Sequence, residues 1–380
     1  MKISVNINPL LNKNKSGIGY YQAELLKAFM ESGTDADFCM QYFDARNRGK
    51  TPPPHWLSDC RKECCKAFPL AIYQLICGIL PFPYKWLFHE KSDITMFFNF
   101  FLPPFVSGKG ILVVYDTVVK DCPETVNLRN KLLLKLNLRK SIKRADRIIT
   151  ISQFSKKQII KHYGADERKI TVIPCAADRN KFFPAPENTV LPAEIAEKYG
   201  IPEKYYLYLG TLEPRKNIAR LIDAYAAAKA KADVPKLVIA GGKGWMFDEI
   251  FSRVRELSLE DDVIFTGYVE DSHVPELMRY AMAFCFPSLY EGFGMPPLEA
   301  MACGVPVIVS DCSSLPEVVG NCGIRVDPYS VSEITDAMLK IIEPEFAAEQ
   351  KQAGIKRAAE FSWQKNAELL KKLTEEPINE

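Results

Sequence analysis

At 380 residues the chain is long enough for two ordinary α/β domains, each able to bury its own core. Its 49 basic and 47 acidic residues leave a formal charge of +2, which excludes a chain committed to coating nucleic acid and points to small or local partners. Eleven cysteines are scattered, and Cys77, Cys285 and Cys303 sit in apolar runs where a thiol acts as a small hydrophobe. That pattern favours a reducing cytoplasm over a disulfide scaffold. Cys60, Cys64 and Cys65 lie close together without a second Cys or His pair at zinc-like spacing, so no metal is expected.

The opening "MKISVNINPL" has no sustained apolar h-region and reads as a first strand over 2–7 rather than a signal peptide. The loop after it leads through Gly17 and Gly19 into a helix. As a dinucleotide fingerprint it is weak: a third glycine would fall at Gln22, and the loop from Asn8 to Ser16 is too long for a tight Rossmann turn. Amides around Gly17 are still able to approach a phosphate. "TDADF" (34–38) precedes a strand instead of following one and reads as a turn, not a metal site. A strand follows at 38–43.

Residues 67–88, "AFPLAIYQLICGILPFPYKWLF", form the most apolar stretch, but Pro69, Pro81 and Pro83 interrupt a run too short to span a bilayer. Two readings stand: buried core, or insertion at a membrane surface, which suits Tyr84, Lys85 and Trp86. Further strands are expected at 111–115, 147–151 and 170–173. Between them "RNKLLLKLNLRKSIKR" (129–144) carries seven cations and no acid, with Lys131, Lys135, Arg139 and Lys143 recurring every four residues. This is either a solvated helix face or one drawn to anionic head groups or a pyrophosphate.

Five prolines punctuate 174–202, and the domain boundary is placed near residue 186. The strand rhythm then resumes at 205–209, 236–240, 262–265, 282–286 and 306–309, the pattern of a second parallel sheet. Two such domains, doubly wound and Rossmann-like, are expected to face each other across a cleft, with ligands beyond the carboxyl ends of their strands. Of the loops there, "GTLEPRKN" puts Arg215 and Lys216 before a helix with Asn217 as expected N-cap, an arrangement suited to a phosphate or pyrophosphate. "SLYEGFGMPPLEAMACG" (288–304) places Glu291 in a glycine loop and Glu299 in the expected first turn of a helix. Two carboxylates in separate places are able to accept hydrogen bonds from two sets of hydroxyls.

Nearly the whole chain resembles the retaining GT-B glycosyltransferases of family 4, especially bacterial enzymes that build surface polysaccharides. The resemblance is carried by "GTLEPRKN", "IAGGKGW", "FTGYV", "PSLYEGFGMPPLEAMACGVPVIVSD" and "LPEVVG" in the second half, and by "ADRIITISQFSKKQI" and "VIPCAAD" in the first. Glu291 and Glu299 match the family's E-x7-E motif. By this resemblance residues 1–185 form the acceptor domain, 186–360 the donor domain, and a C-terminal helix over 361–380 packs back on the first.

The resemblance also implies roles. Arg215 and Lys216 would hold the donor pyrophosphate, Glu291 the hydroxyls of the transferred sugar, and Glu299 the ribose. Backbone amides of Gly292, Phe293, Gly294 and Met295 would lie under the sugar and phosphate, and Gly17 would approach the diphosphate. No cofactor or metal is implied. Two departures stand out. Where the family commonly has His-Asp after the fourth strand of the first domain, this chain has Tyr115-Asp116, leaving Asp116 as candidate polar contact or base and Tyr115 as acceptor-side candidate. The usual Asn-Gly after "VIP" is Cys175-Ala176.

The implied reaction moves a hexose, mannose from GDP-mannose first, to a hydroxyl of a lipid-linked oligosaccharide at the cytoplasmic membrane surface, with retention. Front-face attack and a covalent intermediate are both compatible with these residues. So are an epimerase or hydrolase on the same scaffold and a non-catalytic nucleotide-sugar-binding subunit.

Overall fold

The computed structural model describes residues 1–12, 17–45 and 52–376. The chain forms two compact units: Met1–Cys175 joined by the C-terminal segment from Trp363, and Ala176–Ser362. The sequence-based boundary near 186 falls in the second unit, on the proline-rich stretch that runs up to the short helix Ala193–Tyr199.

The first unit is built on seven parallel strands, β1 (Lys2–Asn6), β2 (Asp37–Phe43), β3 (Arg61–Cys65), β4 (Ile94–Phe97), β5 (Lys109–Val113), β6 (Arg147–Thr150) and β7 (Ile170–Val172). Their spatial order is β3-β2-β1-β4-β5-β6-β7. β3 and β4 were not expected from sequence. β3, "RKECC", shows three charged residues and no alternation; it is an edge strand held by its ladder to β2. β4 is four residues, all buried, paired with β1 and β5 on its two sides. Such a short apolar run carries no period to read.

Aromatic rings fill much of this unit's core. Phe43 stacks on Tyr73 with centroids 5.3 Å apart, and Tyr84 packs on Phe88 and Phe97. Tyr73 and Cys77 are the buried side chains of the helix Leu70–Ile79, so the apolar 67–88 stretch does supply core on one side. The C-terminal helix Trp363–Glu375 packs on the helix Gly17–Glu31. Trp363 meets Tyr21 edge-on at 5.7 Å, and Asn366 Nδ2 donates to the carbonyl of Pro174 at 2.6 Å. An indole and an amide thus anchor a helix that lies far away in sequence.

The second unit has six parallel strands, β8 (Tyr205–Leu209), β9 (Lys236–Ala240), β10 (Val263–Gly267), β11 (Ala283–Phe286), β12 (Val307–Ser310) and β13 (Ile324–Val326). Their order is β10-β9-β8-β11-β12-β13, a doubly wound sheet whose winding reverses between β8 and β11. β13, three residues at the edge, was also not expected. Tyr205, Tyr206 and Tyr208 are fully buried along β8, and each phenol is spent on a backbone carbonyl. Both units are therefore Rossmann-like α/β layers, as the strand rhythm predicts. Among the described residues no helix is long and apolar enough to cross a membrane.

Candidate functional site

In an open parallel sheet, ligand sites form beyond the carboxyl ends of strands where the winding reverses, because the two adjacent loops part there. In the second unit those are the loops after β8 and β11, and they carry Arg215, Lys216 and Glu291. Lys216 Nζ donates to Glu291 Oε1 at 2.6 Å, and Arg215 Nη1 lies 3.0 Å from Glu291 Oε2. Arg215 Nη2 donates to Glu213 Oε1 at 2.6 Å, and its Nη1 to the carbonyl of Tyr290 at 2.6 Å. Two cations and two carboxylates are thus interleaved in one small cluster.

The backbone fixes that cluster. Pro214–Lys216 form a 3-10 turn, and the amide of Leu289 donates to the carbonyl of Arg215 at 2.8 Å, tying the two loops together. Lys216 Nζ also lies over the Phe286 ring, 4.7 Å from its centroid. The β8 loop is pressed closely against the β9 loop: a Cβ on Gly241, at φ +146, would fall 1.9 Å from the carbonyl oxygen of Gly210. Only glycine fits there, which accounts for the first glycine of "IAGGKGW".

Burial and charge act in opposite directions on the cluster. Burial by itself would raise the Glu291 carboxyl, but Arg215 and Lys216 outweigh it and hold the group down at about 2. Burial, with Arg215 adding to it, lowers the Lys216 ammonium against the pull of Glu291. Because Glu291 faces two cations, the pair is ionic at neutral pH. What the site offers is preorganised positive charge, currently matched by its own carboxylates.

Asn217 differs from its expected role. It occupies the N-cap position of the helix Ile218–Lys231, but at φ +60, ψ 31, with no cap bond from its side chain. Its Nδ2 instead donates to the carbonyls of Pro287 at 2.9 Å and Pro328 at 2.7 Å. It therefore joins the loops after β8, β11 and β13. Two carbonyls at the ends of β11 and β13 are stronger claims on an amide than one helix N–H.

Glu299 also departs from expectation. The helix Met295–Ala302 starts at Met295, so Glu299 sits beyond its first turn and not within it. Its side chain keeps some contact with solvent but is set in dense protein, and burial pushes its carboxyl up to about 8, with Lys181 opposing the rise. Among the described residues it has no hydrogen bond or ion pair from its side chain.

The amides expected to be approachable lie in a stretch that is buried from Tyr290 to Gly294. Ser314 Oγ donates to the carbonyls of Glu291 at 2.9 Å and Phe293 at 2.6 Å, and the Glu291 amide donates to Ser313 Oγ at 3.1 Å. Gly292, Phe293 and Gly294 are buried, the Phe293 ring lies edge-on to Phe361 at 5.7 Å, and Met295 is the first partly exposed residue after them. Glu213, Ser313, Ser314 and Phe286 were not singled out from sequence. Glu213 had a local signal, the acid two residues before Arg215; the serines had none, since their partners lie more than twenty residues away in the chain.

In the first unit Gly17 opens its helix exposed, and a Cβ on it would meet nothing within 4 Å among the described residues; residues 13–16, including the Ser16 before it, lie outside the described set. Tyr115 and Asp116 follow β5, the fifth strand in chain order because β3 and β4 both precede it. Tyr115 is 5 % exposed, its hydroxyl donates to the carbonyl of Phe98 at 3.0 Å, and its ring meets Tyr21 and Phe100 at 5.4 Å each. The acceptor-side candidate is therefore largely buried: a phenol is apolar enough to be drawn into an aromatic core once one carbonyl accepts its hydrogen bond. Burial raises its pKa well above the ordinary phenol value. Asp116 is half-buried and accepts the Val118 amide at 3.0 Å, closing the turn into Val118–Asp121.

The comparisons agree with this geometry. The family described as "Glycosyltransferase Family 4" matches residues 15–181, and "Glycosyl transferases group 1" matches residues 193–361. O-antigen chain mannosyltransferase B of Escherichia coli is 35% identical over 271 residues, 70% of this chain and 70% of that protein. Serotype-specific mannosyltransferase WbdA of Escherichia coli is 32% identical over 238 residues, 62% of this chain but 29% of that longer protein. Among solved structures, sucrose-phosphate synthase from Thermosynechococcus elongatus superposes with a TM-score of 0.73 over 98% of each chain at 19% identity, a likeness of fold alone. With family matches across both halves and a curated relative covered over most of its length, this chain belongs to the GT-B glycosyltransferases of family 4.

Proposed function

We propose that this glycosyltransferase moves a hexose, mannose from GDP-mannose first, to a hydroxyl of a lipid-linked oligosaccharide in the assembly of O-antigen, capsule or a related polysaccharide, with retention of configuration. The observation that carries the reading is the Arg215–Lys216–Glu291 cluster at the point where the second sheet reverses its winding. The mannose choice rests on the names of the O-antigen and serotype-specific mannosyltransferases it resembles.

In the reaction the bond from the anomeric carbon to the diphosphate oxygen breaks and its electron pair leaves with the nucleoside diphosphate. Charge builds on that leaving group, and Arg215 and Lys216 are placed to stabilise it without a metal ion. The acceptor oxygen bonds the anomeric carbon and gives up its proton, to the departing diphosphate oxygen or to Asp116 as base. Glu291, released from its two cations as the diphosphate takes its place beside them, would accept hydrogen bonds from the sugar hydroxyls. Glu299 is unpartnered and reachable, which suits a ribose; Asp116 remains the candidate polar group or base of the first unit, and Gly17 a candidate diphosphate contact. Amides of Gly292, Phe293, Gly294 and Met295 would lie under the sugar and phosphate, in the loop whose carbonyls Ser314 holds. The acceptor's lipid places the enzyme at the cytoplasmic face of a membrane.

The test is a thermal-shift screen of nucleotide sugars followed by product mass with a lipid-linked acceptor. A donor-dependent rise in Tm and an acceptor heavier by one hexose are expected. Conversion of the donor with no acceptor present would favour an epimerase or hydrolase, and stabilisation without turnover a binding subunit.

A further inference from the structure

Among the described residues, exposed large apolar side chains concentrate on one part of the first unit. Ile72, Leu75 and Ile79 follow one another at helical spacing on Leu70–Ile79, on the side away from buried Tyr73 and Cys77. Leu80 and Trp86 continue the apolar surface, both more than 60% exposed, and Trp86 is held edge-on to Phe82 at 5.6 Å. Phe105, also exposed, joins them because its carbonyl accepts the Lys85 amide.

The helix Leu128–Arg144 lies directly against this helix. A Cβ on Gly78 would sit 3.1 Å from Leu136 Cβ, Asn137 Nδ2 donates to the carbonyl of Gln74 at 3.1 Å, and Lys140 Nζ to the carbonyl of Gly78 at 2.5 Å. Leu132, one turn before Leu136, and Leu128, a turn earlier, are exposed, Leu128 by 84%. Lys135, Arg139 and Lys143 are exposed on the same helix and Lys131 is partly so; none of the four has an ion pair among the described residues. An uncharged apolar strip thus runs beside a row of unneutralised cations, with a tryptophan at its edge.

We infer that this two-helix face docks on an anionic phospholipid bilayer, Ile72, Leu75, Ile79, Leu80, Trp86 and Leu128 entering the head-group boundary while Lys131, Lys135, Arg139 and Lys143 bind lipid phosphates. The charge pattern selects this occupant. A patch this apolar marks an interaction surface; a purely apolar partner would leave the cations unmatched, whereas an anionic membrane satisfies both halves at once. Tryptophan and lysine are the residues that span such a boundary, with an apolar body and a polar tip. The inference deepens the proposed lipid-linked acceptor and rests on that reading for its purpose, but the surface itself needs no sugar chemistry.

The test is co-sedimentation of the full chain, without sugar nucleotide, with vesicles of phosphatidylglycerol and phosphatidylethanolamine or of phosphatidylcholine alone. Wild type is expected to bind the anionic vesicles and to release as salt rises. Lys135→Glu with Arg139→Glu should weaken binding more than about twentyfold, at about fivefold per basic residue before counting the reversed charge. Ile79→Ser with Trp86→Ser should weaken it by about tenfold or more, while Tyr268→Ser in the second unit binds like wild type. All the replaced side chains are exposed or at the rim, and an unchanged Tm confirms that each variant is folded. Absence of wild-type binding to anionic vesicles, equal binding by the variants, or a dimer that the Ile79 and Trp86 changes convert to monomer with no vesicle binding would each overturn the inference. Vesicle binding without transfer to any lipid-linked acceptor would uphold this face and sink the acceptor reading; transfer to such an acceptor with no vesicle binding would do the reverse.

Discussion

Lys216 and Glu291, seventy-five residues apart, are joined by a 2.6 Å ion-pair bond that is buried from solvent on both sides. A buried pair of this kind costs desolvation on each partner, so removing Glu291 leaves Lys216 buried without its carboxylate, whereas removing Lys216 leaves Glu291 to Arg215 alone.

Glu291→Ala is expected to lose about 3 kcal/mol of folding stability, for that reason, and Lys216→Ala less, because Arg215 still faces Glu291; each should lower transfer by about a hundredfold or more. Lys216→Arg should recover part of the stability and little of the turnover, since a planar guanidinium does not replace a point charge already flanked by Arg215. Denaturant melts and initial rates with the best nucleotide sugar measure both. Near wild-type rates in both alanine variants would remove these residues from the site.

The pH dependence of stability separates Glu291 from Glu299. Glu291 is depressed from 4.5 to about 2, so its contribution is present above 4.5 and is lost as pH falls through about 2. Glu291→Gln should therefore flatten the acid limb of Tm against pH. Glu299 is raised from 4.5 to about 8; its contribution is complete below 4.5 and is lost as pH rises through about 8. Glu299→Gln should leave Tm unchanged in mild acid and raise it by a few degrees, roughly, at alkaline pH, where wild type must bury a charge. A Tm difference that does not change with pH would contradict the assignment.

Asn217 is expected to be a positioning residue. Asn217→Gly keeps the left-handed backbone but takes the side-chain donor from the carbonyl of Pro287 and leaves that of Pro328 to Arg220, costing about 1–3 kcal/mol. Asn217→Ala should cost about 1 kcal/mol more, because alanine also resists φ +60. If the loops carrying Lys216 and Glu291 depend on this junction, the nucleotide-sugar KM rises in both variants; equal KM values would limit Asn217 to stability.

Tyr115→Phe removes one hydrogen bond, from the phenol to the Phe98 carbonyl, and is expected to cost about 1 kcal/mol with turnover changed by less than about twofold. A large fall in kcat at unchanged Tm would return the hydroxyl to the reaction. Tyr115→His, which restores the residue common in the family, puts a polar ring where the tyrosine packs on Tyr21 and Phe100, and should lower Tm more than phenylalanine does.

Local pattern was enough to read the two wound sheets, since runs such as "YYLYL" and "KLVIA" are buried on both faces and their apolar continuity survives without context. The edge strand Arg61–Cys65 and the short Ile94–Phe97 were not legible, because pairing with neighbours, not composition, makes them strands. The segment 67–88 shows the same divide within one helix: the sequence announced its apolarity, and only packing decided that Tyr73 faces the core while Ile79 faces out.

At the site, the sequence by itself determined the chemical inventory: two adjacent cations before one helix, two carboxylates around another, and glycines at the turns. Only the tertiary structure decided which groups meet. It set Glu291 against Lys216 and Arg215, left Glu299 unpartnered beyond the first turn, turned Asn217 from a cap into a junction of three loops, and drew Tyr115 into the core. Glu299 aside, the physical reason is the same in each case. A polar side chain settles on whichever donor or acceptor folding would otherwise leave buried and unsatisfied, and that partner lies across the sheet, where no local spacing records it.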